Sequence, residues 1–309
     1  MRALIVTNMY PTPSRPALGS FVADQVRALR GLSGVELELF TFSPGGASAY
    51  TDAAGALRRR YRGTRFDVVH AHFGLTLWPS LAARGTVHAV TLHGTDLAHP
   101  RSRLVTLAGL RRADLPAVVS EPLAERVPRW ALRRELSVLP CGVDTERFRP
   151  LPREQARREL GLDPAGRYLL FPADPRRAEK RHDRAVAVAG DVPLLTLGDV
   201  EPDEVPLWVN AADAVLVTSE RESFGLAVLE ALACDVPVLA TPVGVASEVL
   251  EGVQGALCAP FEPQRWHAAL RSVLEADDPR VAGRGRAEPF SARRMAARVL
   301  DAWRALAAR

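Results

Sequence analysis

Several features that define common protein classes are scarce or missing in this 309-residue sequence. Its three cysteines, Cys141, Cys234 and Cys258, lie far apart, so the sequence predicts neither a disulfide framework nor a Cys-x-x-Cys metal site. No run of about eighteen apolar residues occurs, so we expect no membrane-spanning helix. No Gly-x-Gly-x-x-Gly motif follows the first apolar segment, which argues against a dinucleotide-binding oxidoreductase. A reducing cytoplasm is the expected location.

The composition is that of a globular protein of about two domains. Hydrophobic residues make up 47% of the chain and charged residues 25%, whereas aromatic residues make up only 6%. The net charge of +4 and the isoelectric point of about 9.3 are too mild for a nucleic-acid-binding stripe, so no nucleic-acid partner is expected. This balance favours phosphate-bearing ligands or an anionic surface as partners.

Short apolar segments alternate with segments of helical spacing along the whole chain. The first predicted strands are residues 3–6, 35–42, 67–72, 88–94 and 116–120, with a predicted helix over 21–32. After a turn-rich stretch at 140–152, a second series comprises 167–173, 193–199, 213–219, 236–242 and 255–260. Two such series predict an α/β protein of two doubly wound, Rossmann-like domains, over residues 1–148 and 149–290. An amphipathic helix over 291–309 is expected to pack back on the first domain.

The segment ERESFGLAVLEALACDVPVLATPVG at 220–244 carries the strongest functional signal. Glu222 and Glu230 are eight residues apart, which in a continuous helix is about 12 Å of rise and about 80° of rotation, so both carboxylates would face one cleft. Between them, Ser223-Phe224-Gly225 is predicted to form a strand–loop–helix junction, whose backbone N–H groups make a phosphate site. The alternative is an amphipathic helix that carries two solvated glutamates.

This segment also resembles a known family. ESFGLAVLE (222–230), followed by EALACDVPVLATPVG (230–244), is similar to the Glu-x7-Glu motif of the retaining glycosyltransferases of family four, which have the GT-B fold. Four further segments resemble the family in the expected order: residues 8–29, TLHGTD (91–96), PCGVDTERFRP (140–150) and FPADPRRAEKR (171–181). The resemblance implies two Rossmann-like domains that face each other across a cleft, with the acceptor in the first domain and a nucleotide-sugar in the second.

The resemblance also implies roles for individual residues. Glu222 is expected to contact the hydroxyl groups of the donor sugar and Glu230 the ribose of the nucleotide. Lys180 would neutralise the diphosphate, and His93 would lie beside the reacting sugar. The other donor-binding residues are Ser223, Phe224, Gly225, Leu226 and Gly198. Gly19, His72 and Asp96 are assigned to the loops that approach the phosphate or the acceptor.

The sequence departs from the family pattern at several positions. Pro175 stands where the family has an arginine, so we assign that diphosphate contact to Arg176, with Arg177 as the alternative. Three other replacements are Cys141 for a usual asparagine, and Asp235 and Val245 for usual glycines. The change at Val245 is expected to alter the loop near the ribose or the base.

Transfer of a sugar requires stabilisation of the charge that develops on the diphosphate leaving group. The sequence contains no Asp-x-Asp motif, which holds the metal ion in many glycosyltransferases. Lys180, Arg176 and a helix N-terminus can supply this stabilisation with no metal and no other cofactor. The resemblance implies retention of anomeric configuration, by front-face attack in which the leaving phosphate helps to deprotonate the acceptor. The expected donor is a UDP- or GDP-sugar, and the expected acceptor is a sugar, a lipid-linked molecule or a small molecule in cell-surface glycan, glycolipid or secondary-metabolite biosynthesis.

Other polar residues keep two interpretations each. His70 and His72 alternate at a strand end, as a metal-binding pair does, but no third ligand is evident, so polar cleft lining or a core position is favoured. Asp96 either caps a turn or contacts the acceptor. The basic run Arg58-Arg59-Arg60, with Arg62 and Arg65, is either a solvated face or a contact for anionic lipid at the inner membrane surface or for a phosphorylated acceptor.

Competing functions follow from the same fold. Another GT-B enzyme, such as an epimerase, and a non-catalytic nucleotide-sugar-binding protein both remain open. A pyridoxal-dependent phosphorylase is disfavoured, because no lysine motif for that cofactor is evident. The presence of both Glu222 and Lys180 favours catalysis over binding alone.

Overall fold

The structure is a computed structural model that describes residues 1–198 and 200–307. The chain forms two compact units: unit 1 comprises Met1–Gly142 and Ala292–Arg309, and unit 2 comprises Val143–Ser291. Each unit contains one wholly parallel sheet with helices between its strands, so the predicted pair of Rossmann-like units is confirmed. The chain passes between the units after residues 142 and 291, whereas the sequence placed these boundaries after 148 and 290.

Unit 1 contains a six-stranded sheet with the strand order β2-β1-β3-β4-β5-β6. The central strands are buried on both faces and therefore consist of almost continuous apolar residues. The last strand is only two residues long, too short for any periodicity, and was not predicted. The strands are β1 (Arg2–Thr7), β2 (Glu36–Thr41), β3 (Arg65–His72), β4 (Arg84–Leu92), β5 (Leu115–Val118) and β6 (Ser137–Val138).

Helices cover both faces of this sheet. Leu4 and Val6 of β1 pack with Phe40 and Leu57 on one face, and Ile5 packs on the other. These helices are α1 (Ser20–Arg30), α2 (Ala47–Arg60), α3 (Leu77–Ser80), α4 (Thr95–Ala98), α5 (Pro100–Leu110) and α6 (Glu121–Ala124), with 3₁₀ turns at Gly74–Thr76 and Arg129–Ala131.

Unit 2 contains a five-stranded sheet with the strand order β11-β10-β9-β7-β8. Its strands are β7 (Leu169–Phe171), β8 (Leu194–Thr196), β9 (Ala214–Val217), β10 (Val238–Ala240) and β11 (Leu257–Cys258). Its helices are α7 (Arg153–Glu159), α8 (His182–Ala189), α9 (Val205–Ala211), α10 (Leu226–Ala233), α11 (Ala246–Val249), α12 (Pro263–Leu274) and α13 (Arg284–Ala287), with 3₁₀ turns at Ala178–Lys180 and Glu288–Phe290. The carboxyl ends of β7 and β9 lead directly into the loops that carry the candidate donor residues.

The last helix, α14 (Ala292–Ala307), returns to unit 1. Its buried residues Met295, Val299 and Trp303 join the same apolar cluster as Val22 and Val26 of α1. The final two residues of the predicted 291–309 helix, and the final residue of the predicted 193–199 strand, lie outside the described residues. Within the part of the chain that the structure describes, no helix has the length and apolar character needed to cross a membrane.

Candidate functional site

A close pair of opposite charges joins the loop after β7 to the loop after β9 in unit 2. The ammonium group of Lys180 donates hydrogen bonds to both carboxylate oxygens of Glu222, over 2.6 and 2.8 Å. The hydroxyl of Ser219 donates to one of the same oxygens over 2.8 Å. The two charged side chains are only 15% and 13% exposed, so the carboxylate is held in one place by charge and by hydrogen bonds.

Lys180 is the only lysine in the chain, among 40 lysine and arginine residues. All the remaining residues of this set are arginines. Lysine differs from arginine in presenting a compact ammonium with three rotatable donors rather than a planar fork. The single lysine can be seen in the sequence alone, and it indicates that this position requires a compact point charge.

Backbone contacts fix the position of Lys180. The hydroxyl of Thr218, at the end of β9, donates to the carbonyl groups of Lys180 and Arg181, over 3.1 and 2.9 Å. Arg181 has a φ of 55°, in the left-handed region that non-glycine residues rarely adopt. Its guanidinium pairs with Asp183 and Glu220. The loop that carries Lys180 is therefore tied to the same strand end that leads to Glu222.

Glu222 and Glu230 do not lie on one continuous helix, whereas the strand–loop–helix junction predicted at Ser223-Phe224-Gly225 is present. Helix α10 begins at Leu226, and Gly225 before it has a φ of 96°, so Glu222 lies in the preceding loop and only Glu230 is on the helix. The rise and rotation of a helix therefore do not relate the two carboxylates. The left-handed glycine turns the chain at the junction, which the eight-residue spacing by itself does not reveal.

A second glycine brings the loop after β10 against this junction. Gly244 has a φ of 59°, and a Cβ atom there would lie 2.2 Å from the carbonyl oxygen of Phe224. The next residue, Val245, donates its N–H to that oxygen over 2.7 Å. Phe224 is buried and its ring meets Phe290 edge-on at 5.9 Å. Gly244 was not singled out from the sequence, although it ends the conspicuous segment at 220–244.

The other predicted donor residues lie in neighbouring loops or on α10. Arg176 donates from Nε to both carboxylate oxygens of Asp174, over 2.9 and 3.0 Å, and its side chain is 75% exposed. This pairing lowers the pKa of Asp174 below its usual range. Arg177 is bonded to Glu179. Lys180 and Glu222 are thus in direct contact, whereas both arginines are bonded to other carboxylates.

Gly198 lies beside the loop that carries Arg176, because a Cβ atom there would be 3.5 Å from Asp174. Leu226 is the first residue of α10. Ser223 belongs to the loop before that helix. Glu230 is half-buried in the middle of α10. Its negative charge is one of the contributions that raise the pKa of Cys234 to about 12, after the larger effect of burial.

Unit 1 brings His72 and His93 into contact at the carboxyl ends of β3 and β4. His72 Nδ1 lies 3.0 Å from His93 Nε2, so one of these nitrogens must donate to the other. Burial lowers the pKa of His72 to about 3, and burial together with His72 lowers that of His93 well below its usual range. Both rings are therefore neutral at pH 7. The amide nitrogen of Gln25 lies 3.4 Å from His72 Nε2, a contact that the sequence did not predict.

Asp96 holds the loop that carries His93. Its carboxylate accepts the backbone N–H groups of His93, Gly94 and Gly74, over 3.0, 2.8 and 3.2 Å. Burial raises the pKa of Asp96, and these donors act in the opposite direction. Of its two predicted roles, the geometry favours the capping one, because three backbone donors share its carboxylate oxygens.

The first loop of unit 1 requires Gly19. Its φ is 67°, and a Cβ atom would lie 2.3 Å from the carbonyl oxygen of Met9. Gly19 immediately precedes α1, whose second residue, Phe21, places its ring 4.8 Å from that of His93. This glycine therefore allows the loop to pack tightly at the start of the helix that contacts His93.

His70 is a core residue with a fixed proton. Trp303 donates its indole N–H to His70 Nδ1 over 3.1 Å, so the neutral ring carries its proton on Nε2, which lies 2.8 Å from Thr91 Oγ1. Both nitrogens of this ring are thus occupied. Across residues 1–198 and 200–307 no group of three histidine, cysteine or acidic side chains is arranged to hold a metal ion.

One α/β unit thus carries a half-buried lysine–carboxylate pair beyond the carboxyl end of a strand, and the other carries a neutral histidine pair beyond two strands. Two family models match the chain: one described as Glycosyltransferase Family 4 over residues 18–147, and one described as Glycosyl transferases group 1 over residues 176–287. A D-inositol 3-phosphate glycosyltransferase from Actinosynnema mirum is 31% identical, and the match covers 82% of this chain and 74% of that protein. The chain therefore belongs to this glycosyltransferase family, and the predicted family is confirmed.

A second D-inositol 3-phosphate glycosyltransferase, from Segniliparus rotundus, is 29% identical, and the match covers 76% of this chain and 64% of that protein. Among solved structures, sucrose-phosphate synthase from Thermosynechococcus elongatus matches with a TM-score of 0.77 at 19% identity, over 100% of both chains. HepE from Anabaena, solved in complex with UDP-glucose, matches with a TM-score of 0.72 at 18% identity, over 97% of this chain and 99% of that one. These structural likenesses confirm the predicted GT-B fold class.

Proposed function

We propose that the protein is a retaining glycosyltransferase that moves a sugar from a nucleotide-sugar to an acceptor hydroxyl. The observation that carries this proposal is the bond between Lys180 and Glu222 at the loop that precedes α10. A diphosphate needs a cation and a sugar needs hydrogen-bond acceptors, and here one of each lies within 2.8 Å of the other. The negative end of a ligand would also meet the N-terminus of α10, where backbone N–H groups favour anions.

The proposed reaction needs no metal ion. Lys180, the N-terminus of α10 and Arg176, once released from Asp174, would stabilise the charge on the departing diphosphate. Front-face attack with retention of configuration completes the proposal, and the leaving phosphate accepts the acceptor's proton. Full turnover after exhaustive treatment with a chelator is the expected result. Loss of turnover that added Mg²⁺ or Mn²⁺ restores would contradict the metal-free mechanism.

The donor and the acceptor are the finer parts of this proposal. HepE was solved with UDP-glucose, which favours a UDP-sugar, and a GDP-sugar is the alternative. The name of the related D-inositol 3-phosphate glycosyltransferases specifies a phosphorylated cyclitol, so inositol 3-phosphate belongs among the sugars, lipid-linked molecules and small molecules to be tested as acceptors. The neutral imidazole of His93 would position the donor sugar, in agreement with the lowered pKa of that ring.

A direct test uses the single lysine as a reporter. Reductive methylation with ¹³C-formaldehyde labels Lys180 and the chain's amino terminus, so the site gives one side-chain signal in an NMR spectrum. UDP-, GDP-, ADP- and TDP-sugars are then titrated, and a thermal shift in the unlabelled protein confirms binding by mass action. A shift of the Lys180 signal with one donor class, followed by transfer to an acceptor, supports the proposal. If a donor binds but is neither transferred to any acceptor nor hydrolysed, a non-catalytic binding protein is favoured.

Peripheral contact with a membrane is a further part of the proposal. Four of the five exposed large hydrophobic side chains in the described part of the chain belong to unit 1: Trp78, Leu104, Val105 and Trp130. The indole of Trp78 donates to the carbonyl of Val105, and α5 also carries the exposed Arg101 and Arg103. Tryptophan, aliphatic and arginine side chains together suit an anionic membrane surface. We expect the protein to co-sediment with anionic vesicles and the double variant Leu104→Ser/Val105→Ser to lose this binding. No co-sedimentation of the unmodified protein at low salt would contradict the proposed membrane contact.

A further inference from the structure

The amino ends of β3 and β4 border a pocket that the proposed reaction does not use. The pocket has a volume of about 400 Å³. It is lined by Gly63, Arg65, Leu81, Ala82, Ala83, Arg84, Gly85 and His88. Two guanidinium groups and an imidazole therefore meet there, and none of the eight lining residues is acidic. This composition makes the pocket selective for anions.

The two arginines oppose each other directly. Arg65 and Arg84 are partners in the register of β3 and β4, which places like charges side by side, an unfavourable arrangement unless an anion lies between them. In the described residues neither arginine forms an ion pair, and Arg65 makes only a long hydrogen bond of 3.4 Å to Thr86. By contrast, Arg157 in unit 2 is paired with a buried aspartate at 2.8 Å. Arg65 and Arg84 are thus not neutralised by a carboxylate in the described residues.

His88 lines the same pocket and has an unpaired ring nitrogen. Its Nδ1 atom is buried and has no hydrogen-bond partner among the described residues. Native structures satisfy most buried polar atoms, so this nitrogen is an exception. The backbone N–H of the same residue is already bonded to Asp114 over 2.9 Å, so the imidazole alone remains available.

We propose that this pocket binds a phosphate group, as the free anion, a phosphomonoester or the phosphomonoester headgroup of a lipid. Two arginines give the charge-assisted, forked hydrogen bonds that phosphate oxygens accept, and the ring nitrogen of His88 that carries the proton can donate one more.

This site is distinct from the one proposed for glycosyl transfer. His72 and His93 lie at the carboxyl ends of β3 and β4, whereas Arg65 and Arg84 are the first residues of these strands. Strands of eight and nine residues separate the two ends by roughly 25–30 Å. A phosphate in the pocket therefore cannot belong to the reacting donor or to an acceptor beside His93, and the proposal does not depend on the enzymatic one.

The test measures binding to the intact protein in a phosphate-free buffer at constant ionic strength. Inorganic phosphate and glycerol 3-phosphate are titrated while the imidazole signals are followed by NMR, with the His88→Gln variant used to assign the signal of His88. Vesicles of phosphatidylcholine with and without phosphatidic acid form the lipid arm. The variant R65Q/R84Q is compared with R58Q/R59Q, which removes the same two charges outside the pocket.

The proposal is supported if binding is saturable and moves the His88 signal. The affinity should then fall about tenfold or more in R65Q/R84Q but less than about twofold in R58Q/R59Q. Binding only to phosphatidic acid vesicles, with the same difference between the variants, supports it with a lipid as the source. Equal weakening in both variants, or a His88 signal that phosphate and vesicles leave unmoved in the unmodified protein, overturns the proposal. The last readout holds even if R65Q/R84Q does not fold.

Discussion

At the scale of single residues, Lys180 gives the most direct prediction. Replacing it with Met leaves the diphosphate charge unbalanced, so turnover should fall by about 10²–10³, the effect of deleting one donor to a developing anion. Lys180→Arg keeps the charge but not the compact ammonium, and we expect it to recover only part of that loss. The measurement is kcat with a saturating donor.

The control for this series is Arg158→Met, which removes an exposed charge on α7 that pairs with Glu154. It should leave kcat within about twofold, because exposed ion pairs contribute little. Full activity in Lys180→Met would mean that the lysine serves only to neutralise Glu222.

His93 is expected to act in the reaction rather than in tight donor binding. Replacing it with Ala should lower kcat more than it raises the donor Kd, because the proposed contact strengthens as the sugar approaches the transition state. Single-turnover rates and donor titrations separate the two effects. Replacing Gln25 with Ala tests the neighbouring contact, and its effect on kcat should be smaller. Normal turnover in His93→Ala would reject the assigned role.

The buried histidines make stability depend on pH. Because the folded pKa of His72 is about 3, below the ordinary value near 6.5, the unfolded chain binds more protons between these values. The contribution of this residue is fully present above about pH 6.5 and falls by about 1.4 kcal/mol for each pH unit below it. His72→Gln should therefore flatten the slope of unfolding free energy between pH 6.5 and 5 by about that amount. His267→Gln, at an exposed histidine of α12, should leave the slope unchanged.

At the scale of elements, Asp213 joins α7 to the start of β9. Its fully buried carboxylate lies 2.8 Å from Arg157, 3.2 Å from Arg167 and 3.7 Å from Arg153, and it also accepts the backbone N–H of Tyr168. Asp213→Ala should lower the unfolding free energy by about 3–5 kcal/mol, because it leaves the buried Arg157 without a counter-charge. The matched change Asp183→Ala, in an exposed pair with Arg181, should cost less than about 1 kcal/mol. Similar losses in both variants would show that burial does not decide the effect.

The elements also show which parts of the fold the sequence could predict. Every apolar run assigned to a strand contains a strand, because a buried parallel sheet demands continuous apolar residues. The two-residue β6 could not be predicted, since it has no period, whereas α10 begins directly after the junction predicted at Ser223-Phe224-Gly225. In the candidate site, the Glu-x7-Glu pattern indicated Glu222 and the family resemblance indicated Lys180, and only the fold brings these two residues together. Ser219, Gly244 and Gln25 were missed because their roles are defined by contacts with distant segments.

At the scale of the whole molecule, unit 2 is an insertion between two parts of unit 1. The first residue of unit 2, Val143, donates its N–H to the carbonyl of Phe290 over 2.9 Å, so the ends of the inserted segment are bonded to each other. A domain whose ends meet can fold without the chain that flanks it. Unit 1 differs, because part of its apolar core comes from α14, which the chain supplies only after unit 2.

This topology predicts an unequal response to removal of residues 292–309. Helix α14 buries Met295, Val299, Leu300 and Trp303 in unit 1, and at about 1.5–3 kcal/mol each they contribute on the order of 6–12 kcal/mol. That is as large as the stability of a typical domain, so unit 1 should unfold while unit 2 remains folded. Hydrogen exchange should show lost protection in β1 and β3 and retained protection in β7 and β9, whereas deletion of residues 308–309 alone should change neither. Protection retained in β1 after the longer deletion would mean that the rest of unit 1 forms a sufficient core, and the helix would then be an accessory to the fold.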